Sequence, residues 1–91
     1  MSIWKPITTE AALGTNTGAA SNVGKSRYVR LLNTAAVGTE YLVTLEQSDG
    51  TDIGTFTIEG QMDCLIQKDP TDQLFAANAA VLAVGVAINS N

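Results

Sequence analysis

The chain has 91 residues, 45% hydrophobic and only 15% charged, which is enough for one domain with a thin core and excludes a disordered chain. Its formal net charge is −4, with five Lys plus Arg and no His, which argues against nucleic acid as the main partner because phosphate binding needs a basic stripe. A single cysteine, Cys64, excludes an intramolecular disulfide.

The first residues, MSIWKPITTE, lack the apolar run of a signal peptide, so the expectation is synthesis in a cytoplasm without export by the usual route. Ser2 to Thr9 reads as an arm or edge strand, because Pro6 cannot donate to a sheet ladder. Trp4, the only Trp, has two readings. The favoured one makes it a plug at one end of the core; the other makes it an anchor in a neighbouring molecule, since Trp is enriched at interface hot spots.

Glu10 to Ser26 is rich in Gly, Ala, Ser, Thr and Asn and reads as loop, with room for a short strand around Ala19 to Val23. Lys25 and Ser26 follow Gly24, but no Gly stands five positions before it, so this is not a phosphate loop. Residues 1–25 are therefore taken as arm plus loop, and residues 26–91 as the body. Lys25, Arg27 and Arg30 form the only local basic cluster, which reads as a solvated strand edge in preference to an anion site.

Arg27 to Thr34 reads as a strand with Val29 and Leu31 on one side and Tyr28, Arg30 and Leu32 on the other, central and covered on both faces. Tyr41, Val43 and Leu45 share one parity, as do Gly54, Phe56 and Ile58, and Asp49-Gly50 between the two runs is a strong hairpin signal. In the next strand Met62, Cys64 and Ile66 point one way, while Leu65 breaks the polar parity of Asp63 and Gln67. Cys64 reads as a buried inert thiol, with no His to draw off its proton.

Asp69-Pro70-Thr71-Asp72 predicts a short helical turn running to about Phe75 or Ala77, with Asp69 as cap and Pro70 preset for the first helical position. That reading is preferred to a cation site, for which no third carboxylate stands at ligand spacing. In the last strand Leu82, Val84, Val86 and Ile88 share one face, with Ala83, Gly85 and Ala87 on the other. The small face means that something packs close to it, or that it lies bare. Leu74 to Ile88 is too short to span a bilayer and contains Asn78, so no membrane is expected.

The sum is an all-β domain: a small antiparallel β-sandwich or barrel of about six to eight strands with one short helical turn. No residue is assigned as catalytic, cofactor-binding or metal-ligating, and an enzyme is the least favoured class, because nothing orders a nucleophile and a base. VRLLNTA, the hairpin YLVTLEQSDGTDIGTFTI, a strand ending in IQKDPTD and the closing VLAVGVAI run in an order that resembles the small β-sandwich virion proteins that decorate or cement the heads of marine tailed phages. The resemblance covers roughly residues 27–88 and rests on residues that set shape. It implies many copies bound to the major capsid protein at capsomer joints, or to one another, with a trimer possible, in a virion assembled in the host cytoplasm. Ile3, Trp4 and Ile7 are the expected partner contacts, from the apolar content of the arm. Two alternatives stand beside this reading: a phage tail or neck component, and a host-surface carbohydrate-binding module in which Trp4 and Phe75 would lie exposed side by side.

Overall fold

Apolar and polar residues alternate along most of this chain, and a period of two is satisfied by strands with one dry face. The computed structural model describes residues 3–89. Residues 1, 2, 90 and 91, the outer ends of the expected arm and body, lie outside the described residues. In chain order the strands are β1 (Ile3–Pro6), β2 (Ala11–Ala12), β3 (Tyr28–Asn33), β4 (Tyr41–Glu46), β5 (Asp52–Ile58), β6 (Asp63–Gln67), β7 (Gln73–Ala76) and β8 (Val81–Asn89). They form two antiparallel sheets. The five-stranded sheet runs β1-β8-β3-β6, with β2 also on β8, and the three-stranded sheet runs β5-β4-β7. The expected all-β sandwich is the fold.

The core lies between the sheets. Val29, Leu31, Val81 and Ala83 meet Val43, Ile58, Leu74 and Ala76, all under 5% exposed. Each fully buried apolar side chain contributes about 1.5–3 kcal/mol relative to exposure. β3 is central, paired with β6 and β8, as expected. Its inward residues are fully buried, while Tyr28, Arg30 and Leu32 on the outer face are only half-buried. The β4–β5 hairpin closes through Gly50 at φ 90°, a conformation that glycine adopts without steric cost. Its amide donates to Gln47 O (2.9 Å), and the Asp49 carboxylate accepts the Thr51 N–H (2.9 Å).

The segment 11–26 is a side wall with its own structure. Leu13 and Val23 enter the core from it. Its one helical turn is a 3-10 turn at Thr17–Ala19, capped by the Asn16 side chain, which accepts the Ala19 N–H (3.1 Å). It hydrogen-bonds β7 twice at Ser21–Leu74 and once where Ala76 N–H meets Gly14 O (3.0 Å), so that edge of the smaller sheet is occupied.

One expectation is corrected here. No helical turn follows Asp69. Asp72 N–H donates to Asp69 O (3.0 Å) and the Asp72 carboxylate accepts the Asp69 N–H (3.1 Å), which makes a β-turn leading into β7. The carboxylate expected to serve a helix end serves the turn instead. The alternation of buried Leu74 and Ala76 with half-buried Gln73 and Phe75 then fits β4 as a strand and would be lost in a helix. On β8 the small residues Ala83 and Gly85 face inward, and Ser26 and Thr8 pack close against Gly85, the first of the two readings of that face. Ala83 and Gly85 stand opposite Leu31 and Val29, whereas Val84 and Val86 stand opposite Arg30 and Tyr28.

Candidate interaction surface

The outer face of the five-stranded sheet is built around Arg30. Its Nε donates to Asp63 Oδ2 (3.1 Å), its Nη1 lies 3.6 Å from Glu10 Oε2, and its guanidinium stands 5.6 Å from the centroid of the Trp4 ring. A cation over an indole face contributes about 0.5–1 kcal/mol at an exposed site. Arg30 thus belongs to an ion-pair network, while Arg27 and Lys25 are exposed outside the strands.

Trp4 does not plug the core. It sits on the outer face of β1 opposite Ile88, and it remains 38% exposed. The reason is topological: β1 pairs with the far end of β8, at a rim beyond the buried cluster. The same position accounts for Ile3 and Ile7. They share the core-facing parity of Gly85 and Ala87, yet they are 69% and 55% exposed, because the three-stranded sheet does not reach beneath β1. Ile3, Trp4, Lys5, Ala87 and Ile88 line a shallow groove of about 240 Å³ there. The three expected contact residues thus lie along one rim, Trp4 on its outer face and Ile3 and Ile7 on the other, with Ile7 just past β1 held by its N–H to Gly85 O (2.8 Å). Leu65, the parity breaker, is 43% exposed on the outer face opposite Arg30.

Phe75 stands opposite Thr44, on the face of β7 turned away from the core. Trp4 and Phe75 thus lie on the outer faces of different sheets, and the side-by-side aromatic platform of the carbohydrate alternative is not formed.

Cys64 is half-buried, not fully buried. It faces the core opposite Leu31 and lines a groove of about 280 Å³ between β5 and β6 with Phe56, Ile58 and Met62. Burial, and then the Asp63 charge, push its thiol pKa up from 9.0. Its folded pKa exceeds its unfolded value, so its contribution to stability is full below pH 9 and is lost as pH rises through the folded value. Native protein at pH 8 should react with a disulfide reagent at least about tenfold more slowly than urea-unfolded protein, because both thiolate fraction and access fall. Equal rates would mean that the side chain is open to solvent.

Two charged groups escaped the sequence reading. Lys68 is buried, its ammonium donating to Asp69 O (3.2 Å) and Pro70 O (3.4 Å), and burial lowers its pKa. Glu46 is 1% exposed, and its Oε1 accepts from the Thr17 hydroxyl (2.7 Å) and Gln73 Nε2 (2.7 Å). Glu46 ties the 3-10 turn onto the smaller sheet. No sequence signal marks it, since its outward parity reads as wet until the 3-10 turn is placed over it. Comparisons with protein-family models, curated proteins and solved structures found no match to this chain.

Proposed function

We propose that this chain is a virion structural protein of the head decoration or cement kind, binding the major capsid protein in many copies at capsomer joints. The observation that carries the reading is the rim strand: Ile3 and Trp4 on β1, and Ile7 just after it, are exposed along one edge of the sandwich. Scattered exposed apolar residues are ordinary, but Ile3 and Trp4 beside a largely apolar groove, with Ile7 following, are the kind of patch that marks a protein contact. The Arg30 guanidinium holds the Trp4 ring in place, so a partner meets an ordered anchor. The net charge of −4 complements a shell surface with exposed Lys and Arg.

The mechanism is mass action. A protein that binds only the assembled shell stabilises that state and leaves free subunits unaffected. The proposal assigns no reaction, cofactor or metal to the chain, and it places the protein in a virion assembled in the host cytoplasm.

The test uses purified heads lacking the protein. Trp4→Ala and the pair Ile3→Ser, Ile7→Ser are added back and bound copies are counted. Loss of an anchoring Trp costs about 2 kcal/mol, roughly thirty-fold in affinity. Ile3 and Ile7 are exposed, so that pair should melt like wild type, while Trp4→Ala gives up its Arg30 contact and should melt a few degrees lower but still cooperatively. Deleting the whole arm is a poorer test, because the Gly85 N–H would lose its Thr8 Oγ1 acceptor (2.8 Å). Wild-type occupancy by both variants would overturn the reading.

A further inference from the structure

An antiparallel sheet leaves unpaired N–H and C=O groups along its edges, and proteins blunt such edges with Pro, Lys, short strands or a covering segment. Three of this protein's edges are managed. β1 carries Lys5 and Pro6, β7 is hydrogen-bonded to Gly14 and Ser21, and β6 is short and opens on Asp63. β5 is different. It opens on Asp52, as β6 opens on Asp63, and an irregularity at Ile53 shifts its register on β4, but among the described residues it pairs only with β4, it is the longest strand after β8, and from Gly54 to Ile58 it runs regular with no charge and no Pro. Asp52 to Thr55 and Thr57 are exposed, Ile53 by 49%.

The backbone directions are fixed by the neighbouring pair. Leu42 C=O is turned toward β7, where it accepts the Ala77 N–H (2.9 Å). Strand residues alternate in direction, so Tyr41, Val43 and Leu45 are turned toward β5, and their partners Ile58, Phe56 and Gly54 are turned toward β4. Thr55 and Thr57 therefore present their N–H and C=O groups at the free edge.

We infer that β5 joins a second copy of this chain, edge to edge and antiparallel about a twofold axis, fusing two three-stranded sheets into one six-stranded sheet. Three observations favour a second copy as the occupant. First, centred on Thr55, the strand meets itself without opposing like charges, since the nearest charges, Asp52 and Glu59, stand at unequal distances from that centre. Second, the same register sets Thr55 against Thr55, a cross-strand pair that sheets favour. Third, it sets Phe56 against Gly54, whose missing side chain leaves open space with no atom within 4 Å, and Phe56 itself is only half-buried. The aromatic ring covers the glycine twice, once from each copy. The contact also closes. Each outer end of the fused sheet is a β7 edge already bonded to the segment 11–26, so pairing stops at two and does not propagate into fibres.

The inference does not rest on the capsid reading. A chain that dimerises but never loads onto heads would end that reading and leave this one standing. Sedimentation of the whole chain up to about 1 mM should show the mass rising from 9.5 kDa toward twice that value. Thr55→Lys places two ammonium groups opposite each other at the centre of the contact and should hold the chain at 9.5 kDa throughout. Thr55 is exposed, and an unchanged circular dichroism melt at low concentration shows that the fold is intact. Register is read by oxidation in a Cys64→Ser background. Thr55→Cys should cross-link at least about tenfold faster than Asp49→Cys at the hairpin tip, since opposed Cα atoms lie about 5.5 Å apart. A wild-type chain that stays monomeric, a Thr55→Lys chain that dimerises as well as wild type, or equal cross-linking at both positions would each overturn the inference.

Discussion

Replacing Asn33 with aspartate is expected to lower stability by about 3–5 kcal/mol, most of what a domain of this size possesses. Asn33 is fully buried at the end of β3. Its Nδ2 donates to Ile58 O (2.9 Å) at the end of β5 and to Thr39 O (3.1 Å) ahead of β4, while its Oδ1 accepts the Ala35 N–H (3.0 Å). One side chain thus links the two sheets, and it needs two donors and one acceptor. An ionised carboxylate keeps the acceptor, loses both donors and turns negative charge onto two carbonyl oxygens. Asn33→Leu, which leaves the Ala35 N–H unpaired as well but buries no charge, should cost less, about 2–4 kcal/mol. The sign with pH follows. The introduced carboxyl has its folded pKa raised above its unfolded value, so the penalty is full above that folded pKa and shrinks as pH falls through it. Urea unfolding of both variants at pH 7 and pH 4 measures this. An Asn33→Asp loss under 1 kcal/mol, or one that grows in acid, would show that the amide does not tie the sheets.

The parts of this fold that were legible are those whose physics is local. Asp49-Gly50 specifies a reversal by its own backbone preferences, and the parity of Val29, Leu31, Val43 and Ile58 marks the dry face wherever the strands go. The parts that were not legible depend on what lies next to what. Asp69-Pro70 has the same chemistry in a β-turn as at a helix start, and only the place beside β4 decides between them. The small face of β8 left two readings open, packed or bare, and only the place of Ser26 and Thr8 against Gly85 decides between them. Glu46 and Lys68 became interior only when a turn folded back over each of them. The candidate surface divides the same way. That the Pro-bearing arm forms an edge strand was readable, although the place of Trp4 on the outer face was not. The bare edge of β5 was invisible, because a strand's lack of a second neighbour is a property of the topology and leaves no mark on its alternation.

Gly85→Val should cost about 3 kcal/mol, the upper end for overpacking a core, and Gly85→Ala about 1–2 kcal/mol. Gly85 faces inward opposite Val29, where a β-branched residue would ordinarily strengthen a strand. Here the space is taken. A Cβ at this position would run into Ser26 Oγ, with Ser26 Cβ at 2.9 Å and Thr8 Cγ2 at 3.0 Å. Ser26 cannot yield easily, because it is 4% exposed and its hydroxyl donates to Val23 O (2.6 Å) at the base of the side wall. Thr8 is held as well, its Oγ1 accepting the Gly85 N–H (2.8 Å). The glycine is therefore a slot through which both ends of the segment 8–26 are drawn against the central sheet. If close approach is the cause, removing the opposing side chain must relieve it. Ser26→Gly alone should destabilise by about 1 kcal/mol through the lost hydrogen bond. Combined with Gly85→Ala it should cost less than the sum of the two, by about 1 kcal/mol. Strict additivity across that cycle would place the cost in strand propensity or in the unfolded chain, and the side wall would then owe its position to Leu13 and Val23 in the core, not to the slot.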